Sequence, residues 1–225
     1  MLFRDRADAG RQLLSRLRAY EGHHDLLVLG LPRGGIPVAY EVARGLGAPL
    51  DVFVVRKLGV PGQEELAMGA IASGGVRVVN VEVVRALGIS AEMLDRAAAE
   101  ESRELERRET SYRGDRPPPR IEGRTVILVD DGLATGSTMR AAVAGLGQQR
   151  PGRLVVAVPV AARATCEELR REVDELICHA TPEPFLAVGR FYDDFSQTTN
   201  EEVRELLAAA RAGEASGKTP SPAGV

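Results

Sequence analysis

Residues 126–139, VILVDDGLATGSTM, constrain this chain more than any other segment. Val126, Ile127, Leu128 and Val129 are consecutive apolar residues, the pattern of a strand buried on both faces. They run directly into Asp130 and Asp131. Unpaired carboxylates are costly to bury. A hydrophobic strand ending in two of them therefore belongs at the carboxyl edge of a parallel sheet, where open α/β folds place their ligands.

The residues beyond the acids extend this reading. Gly132 to Gly136 form a turn of small residues, and Ser137 and Thr138 open a helical pattern. Across Ala134, Thr135, Gly136, Ser137 and Thr138, backbone N–H groups, hydroxyls and a helix N-terminus can wrap a phosphate dianion. Asp130 and Asp131 would repel that phosphate. They suit vicinal hydroxyls or a hydrated divalent cation instead. A diol and a phosphate one loop-width apart describe a ribose 5-phosphate.

A hydrophobic run, two acids and then T-G-S-T resembles the signature of the type I phosphoribosyltransferases. The resemblance implies that Asp130 and Asp131 hold the ribose hydroxyls of phosphoribosyl pyrophosphate (PRPP), with Mg²⁺ as cofactor on the same carboxylates. It implies that the 134–138 loop holds the 5-phosphate. It covers about residues 25–158 through their loops, and is nearest to the broad bacterial group of predicted phosphoribosyltransferases.

A second loop has the same logic. LGLPRGGIPVA, residues 29–39, reads as strand, Gly-rich turn and helix. Gly34 and Gly35 allow close backbone approach or positive φ, and Arg33 supplies a planar donor fork for phosphate oxygens. By the resemblance, Arg33, Gly34 and Gly35 grip pyrophosphate. Arg56 and Lys57 end the next strand and are expected to face the same ligand. Residues 58–65, with Gly59, Pro61 and Gly62, read as a mobile loop that closes over the reactants and excludes water. That segment departs from the orotate-type pattern, so its closing residue is open.

The chain alternates strand and helix. Strands are expected at 25–30, 50–55, 125–129, 153–158, 175–178 and 186–188, and a hairpin at 66–72 and 76–79 around Ser73-Gly74-Gly75. Helices are expected at 9–20, 37–47, 91–112, 166–173 and 201–211. The fold class is α/β: a doubly wound parallel sheet of the type I phosphoribosyltransferase kind, with right-handed crossovers. Residues 1–212 are read as one domain. It has a core at about 25–180, a helical insert at about 90–120, and a hood built from the N-terminal helix and about 180–212. The insert carries only a weak apolar stripe and is expected as a solvated face, lid or dimer contact. Pro117-Pro118-Pro119 stops it. Residues 213–225 are read as a disordered tail. Ser216–Thr219, SGKT, lacks the upstream glycine and flanking elements of a P-loop.

The acceptor is expected under the hood, at PFLAVGRFYDDFSQTTNEEV (residues 184–203), which loosely resembles purine-type members. Phe185 is placed to stack on a base and Asp193 to accept a hydrogen bond from it. Tyr192 and Asp194 are neighbours that could take the same roles, and aromatic packing competes with this reading.

Composition excludes some classes. A net charge of −3 with mixed signs argues against a general nucleic-acid binder. No apolar run reaches the roughly 20 residues of a membrane span, and MLFRDRADAGRQLL, residues 1–14, lacks the long apolar region expected of a secretion signal. A cytoplasmic enzyme is expected, and the resemblance implies a homodimer. Cys166 and Cys178 lack CxxC spacing and are expected as reduced thiols. The activity implied is transfer of 5-phosphoribosyl from PRPP to a small nitrogenous acceptor, a nucleobase foremost, with pyrophosphate release. Asp130, Asp131 and Arg33 are its catalytic candidates. A non-catalytic sensor and a phosphoribosyl hydrolase are the alternatives.

Overall fold

The computed structural model describes residues 1–217, without the side chains of residues 64, 65 and 214–217. Its centre is a five-stranded sheet in the order β2-β1-β6-β7-β8, made of β1 (Leu26–Gly30), β2 (Leu50–Val52), β6 (Thr125–Val129), β7 (Arg153–Val160) and β8 (Glu175–Ala180). Every pairing in it is parallel. The apolar runs explain why these segments are central. Strand side chains alternate between faces, and here both faces are covered. Leu26, Val28, Ile127, Val129, Val155 and Ala157 belong to one core cluster. Leu27, Leu29, Val126, Leu128, Leu154 and Val156 belong to the other.

The first cluster is covered by α1 (Arg6–Leu14), α2 (Gly35–Leu46), α4 (Ala91–Arg113) and α7 (Asn200–Gly217), the second by α5 (Ser137–Gln148) and α6 (Arg163–Leu169). From β1 the chain crosses through α2 to β2 on one side. It returns at β6 on the other side and winds outward through α5, β7, α6 and β8. The order thus reverses between β1 and β6, the crevice where doubly wound sheets bind ligands.

A three-stranded antiparallel sheet, β3 (Val55–Val60), β4 (Gln63–Ala72) and β5 (Val76–Val79), stands apart. The β4–β5 hairpin matches the sequence expectation: Gly74 and Gly75 both take positive φ, as the tightest hairpin turns require. The mobile loop expected at 58–65 is instead mostly strand, with register shifts at Leu58/Gly59 and Gly59/Val60. Gly62 supplies the tight turn, at φ 80°. The glycines that read as loop signals are a bulge and a turn within paired strands.

The helical insert also differs from its expectation. Leu94, Ala98, Leu105 and Tyr112 are buried, and α4 packs on β3, β4 and α7. Its charged character conceals a buried polar joint. Arg113 is 4% exposed and bonds Asp51 at 2.7 Å, Glu109 at 2.8 Å and the Val52 carbonyl at 2.8 Å. Removing one member of a buried ion network leaves its partners charged and unpaired, at a cost of about 3–5 kcal/mol. Arg113→Met is therefore expected to lower the melting temperature by roughly 6–20 °C, readable by calorimetry.

Other differences are local. The segment expected as a strand at 186–188 gives way to a 3₁₀ turn at Val188–Phe191. A short helix, α3 (Val81–Ala86), was not expected. Cys166 on α6 and Cys178 on β8 are joined as a disulfide rather than left as separate thiols, because α6 packs directly on β8. Residues 200–212, assigned to the hood, form α7 and pack against α2 and α4. That helix continues to Gly217, so 213–217 are not a tail. Residues 218–225, the rest of that expected tail and of SGKT, lie outside the described residues. No helix among the described residues is long and apolar enough to cross a membrane.

Candidate active site

Two loops leave the carboxyl ends of neighbouring strands, since Gly30 of β1 pairs with Val129 of β6. The β1 loop runs through residues 31–34 into α2, and the β6 loop through 130–136 into α5. Each is a strand–turn–helix, so two helix N-termini face one crevice.

The loops touch. A Cβ on Gly34 would lie 2.1 Å from Asp131 Oδ2, and one on Gly35 would lie 2.8 Å from the Val129 carbonyl and 3.1 Å from Asp130 Oδ1. Close approach, not positive φ, is why glycine stands here: Gly34 has φ −61°, ψ −32°. The Pro32–Arg33 peptide is cis. Arg33 is half-buried, and no side-chain hydrogen bond or ion pair engages its guanidinium among the described residues.

Asp130 sits at the floor of the crevice, partly reached from the cleft. Burial, then the neighbouring Asp131, pushes its carboxyl well above the usual carboxylate range. Asp131 is also raised by burial, opposed by Arg6. Arg6 was not foreseen. Its Nε donates to Asp131 Oδ2 at 2.8 Å, its guanidinium lies 4.0 Å from the Phe195 ring centre, and Nη1 donates to the Ser196 carbonyl at 2.6 Å. Tyr192 closes the same joint by donating its hydroxyl to the Asp131 carbonyl at 2.6 Å.

The 134–138 loop forms a cavity of about 170 Å³ with Asp130 and Val188 on its walls. Gly136 turns the chain at φ 70°. The first amides of a helix have no intrahelical partner, and here they point to the cleft end of α5. Thr165, also unforeseen, braces the loop: its Oγ1 donates to the Ala134 carbonyl at 2.6 Å, and a Cβ on Gly136 would lie 2.7 Å from its methyl. Lys57 reaches this loop from the small sheet, with Nζ 2.8 Å from Ser137 Oγ.

This geometry coincides with a family match. Residues 3–195 match the model described as a phosphoribosyl transferase domain. The chain belongs to the phosphoribosyl transferase domain family. TT1426 of Thermus thermophilus is similar in structure, with a TM-score of 0.82 and 44% identity over 93% of this chain and 99% of that one. Rv0571c of Mycobacterium tuberculosis H37Rv, named provisionally as a phosphoribosyl transferase, is 47% identical over 209 residues. The match covers 93% of this chain and 47% of that protein, so the chain spans about half the length of that relative.

Within this phosphoribosyl transferase domain, the sequence candidates fall into two groups. Asp130, Ala134, Thr135, Gly136, Ser137 and Thr138 line one cavity; Gly34 and Gly35, with Arg33 on the same loop, lie against Asp130 and Asp131 at its side, and Lys57 reaches Ser137. Arg56 does not join them. It alternates to the other face of β3 and pairs with Glu101 of α4 at 2.6 Å. Phe185 packs on Phe191, ring centres 5.2 Å apart, in a cluster with Val188 and Phe195. The Asp193 side chain is exposed, and its backbone N–H donates to the Phe3 carbonyl. Asp194 accepts from the Ser196 N–H. The segment thus meets the crevice through Val188 and Tyr192. No local spacing could have marked Arg6 or Thr165, since their partners lie 125 and 31 residues away.

The Arg6–Asp131 pair keeps only 12% and 15% side-chain exposure. Arg6→Met is expected to destabilise the chain by about 3 kcal/mol or more in urea denaturation, because it strands a buried carboxylate beside a second one.

Proposed function

We propose that this crevice binds PRPP and transfers its 5-phosphoribosyl group to a nitrogen nucleophile, a nucleobase foremost, releasing pyrophosphate. The observation carrying this reading is the meeting of three parts within one crevice: the acid pair, the amide cradle of α5 and the Arg33–Gly35 loop. These parts match in kind the groups of a ribose 5-phosphate with a leaving group at its anomeric carbon: a diol, a phosphate and a departing anion.

The chemistry follows from where charge changes. As the bond to pyrophosphate stretches, the anomeric carbon becomes electron-poor and negative charge grows on the departing oxygens. Arg33, on the loop that enters α2, is the donor on the leaving-group side and stabilises that charge, because the first amides of α2 are already spent on the Leu31 and Arg33 carbonyls. Asp130 and Asp131 accept hydrogen bonds from the ribose diol and fix the ring. The hydroxyls and amides of residues 134–138 anchor the 5-phosphate, so binding far from the reacting carbon orients it. Val188, beside Asp130, gives the acceptor an apolar wall, and Phe185 supports it through Phe191.

Mg²⁺ fits this donor set only in part. Asp130 would offer hard oxygen ligands to the ion, whereas Asp131 already faces the Arg6 guanidinium. No group of three or more metal-ligating side chains occurs among the described residues. Bound there with the donor, the ion would offset charge on pyrophosphate.

The test is pyrophosphate release from PRPP and Mg²⁺ across a panel of purines, pyrimidines and small amines. Release that requires one acceptor supports transfer. Release with water alone, or binding without release, overturns it.

A further inference from the structure

The 5-phosphate cradle does not end at Ser137. That residue also lines a second cavity, of about 400 Å³, between the small sheet and α5. Lys57 stands where the two cavities meet, its ammonium on Ser137 Oγ. Beyond it the walls are short side chains: Ala67 and Ala70 from β4, Ala141 and Ala144 from α5. Facing methyl groups leave a slot suited to a flat, weakly polar ring. The volume falls within the usual range of small-molecule sites.

Charge narrows the occupant. Arg140, on the same wall, is held by Glu168 at 2.8 Å, Glu172 at 3.7 Å and the Thr135 carbonyl at 3.2 Å. Lys57 is left as the cation that can answer a ligand, and Glu172 at the rim disfavours a strongly anionic body. Asn80, whose Oδ1 caps α3, has its amide N–H₂ for a ring edge. One added negative charge next to the cradle, followed by a neutral planar group, is the matching pattern.

We propose that cradle and groove form one extended site for a ribose whose 5-phosphate carries a further phosphate-linked, nucleoside-sized group. Its inner phosphate lies in the 134–138 loop, its outer phosphate on Lys57 and its ring system between β4 and α5. This rests on the reading of the crevice as a ribose 5-phosphate site, and it widens the ligand class from simple sugar phosphates to pyrophosphate-bridged nucleotides.

Calorimetric titration with ribose 5-phosphate, PRPP with Mg²⁺, and ADP-ribose separates the two levels. ADP-ribose is expected to bind about tenfold or more tightly than ribose 5-phosphate, the worth of one added charge-assisted contact, and to be displaced by PRPP. That preference should fall to near unity in Ala144→Leu, which fills the groove, and in Lys57→Met, which removes its cation. A wild-type ratio at or below unity, or one that survives both substitutions, overturns the groove assignment while binding of ribose 5-phosphate and PRPP leaves the crevice reading standing. Failure of all three to bind overturns both.

Discussion

Replacing Asp130 with asparagine is expected to abolish most turnover of PRPP while making the folded chain more stable at neutral pH. Asparagine keeps the shape and the oxygen that accepts the Asp131 N–H at 2.9 Å. It loses the charge and one acceptor edge needed by a diol. Deleting one preorganised electrostatic contact typically costs about a hundred- to a thousandfold in rate. The stability gain follows from the direction of the pKa. Burial and Asp131 raise the Asp130 carboxyl in the folded state above its ordinary value of 3.8. Between those two values the native state binds more protons than the unfolded chain. Stability therefore falls as pH rises through that window, and the full penalty is present above it. Asparagine has no such penalty. Each kcal/mol regained should raise the melting temperature by about 2–4 °C in a chain of this size. Thermal melts from pH 4 to pH 8 should show a flatter profile for the variant. A variant that is both inactive and less stable at neutral pH would contradict this account of Asp130.

The second large effect is expected from a single methyl group. Gly34→Ala suits the local backbone, which is already α-helical, so any loss must come from contact. The added carbon would meet Asp131 Oδ2 at 2.1 Å and Arg6 Nε at 3.1 Å, neither able to yield without parting the Arg6–Asp131 bond. Overpacking of this kind costs about 1–3 kcal/mol. Displacing a catalytic contact by about 1 Å can cost a hundredfold in rate. We expect both in Gly34→Ala, read as a lowered melting temperature and a joint loss in kcat and PRPP affinity. The same exchange at Gly147, inside α5 with open space around it, is the control. There alanine should add about 0.5–1 kcal/mol of stability and leave turnover intact.

What could be read in advance was local. Apolar runs such as residues 126–129 and 26–29, rich in β-branched residues and leucine and closed by acids or glycine, mark buried parallel strands. The acid pair and the cradle are contiguous, so their chemistry is visible in order. Longer-range placement was not. Arg56 and Lys57 are adjacent in a strand, and strand side chains alternate, so only one of two neighbouring cations could reach the crevice. Which one depends on where the small sheet lies. Arg6 and Tyr192 converge on Asp131 from opposite ends of the chain, a closure that no pattern in either segment encodes. The 91–113 helix read as solvated because its buried joint is ionic, with Arg113 taking the place of an apolar side chain. Glycines at 59 and 62 carry the same signal in a bulged hairpin as in a mobile loop. The cysteine pair depended on which strand α6 would pack against.

The central claim is that Asp130, Asp131 and the 134–138 loop bind opposite ends of one sugar phosphate. Isothermal titration of PRPP with Mg²⁺ into the wild-type chain and into the Asp130→Asn/Asp131→Asn double variant tests it most directly. The account predicts saturable one-site binding that is lost in the folded double variant. Equal heats in both, or none in the wild type, would contradict it.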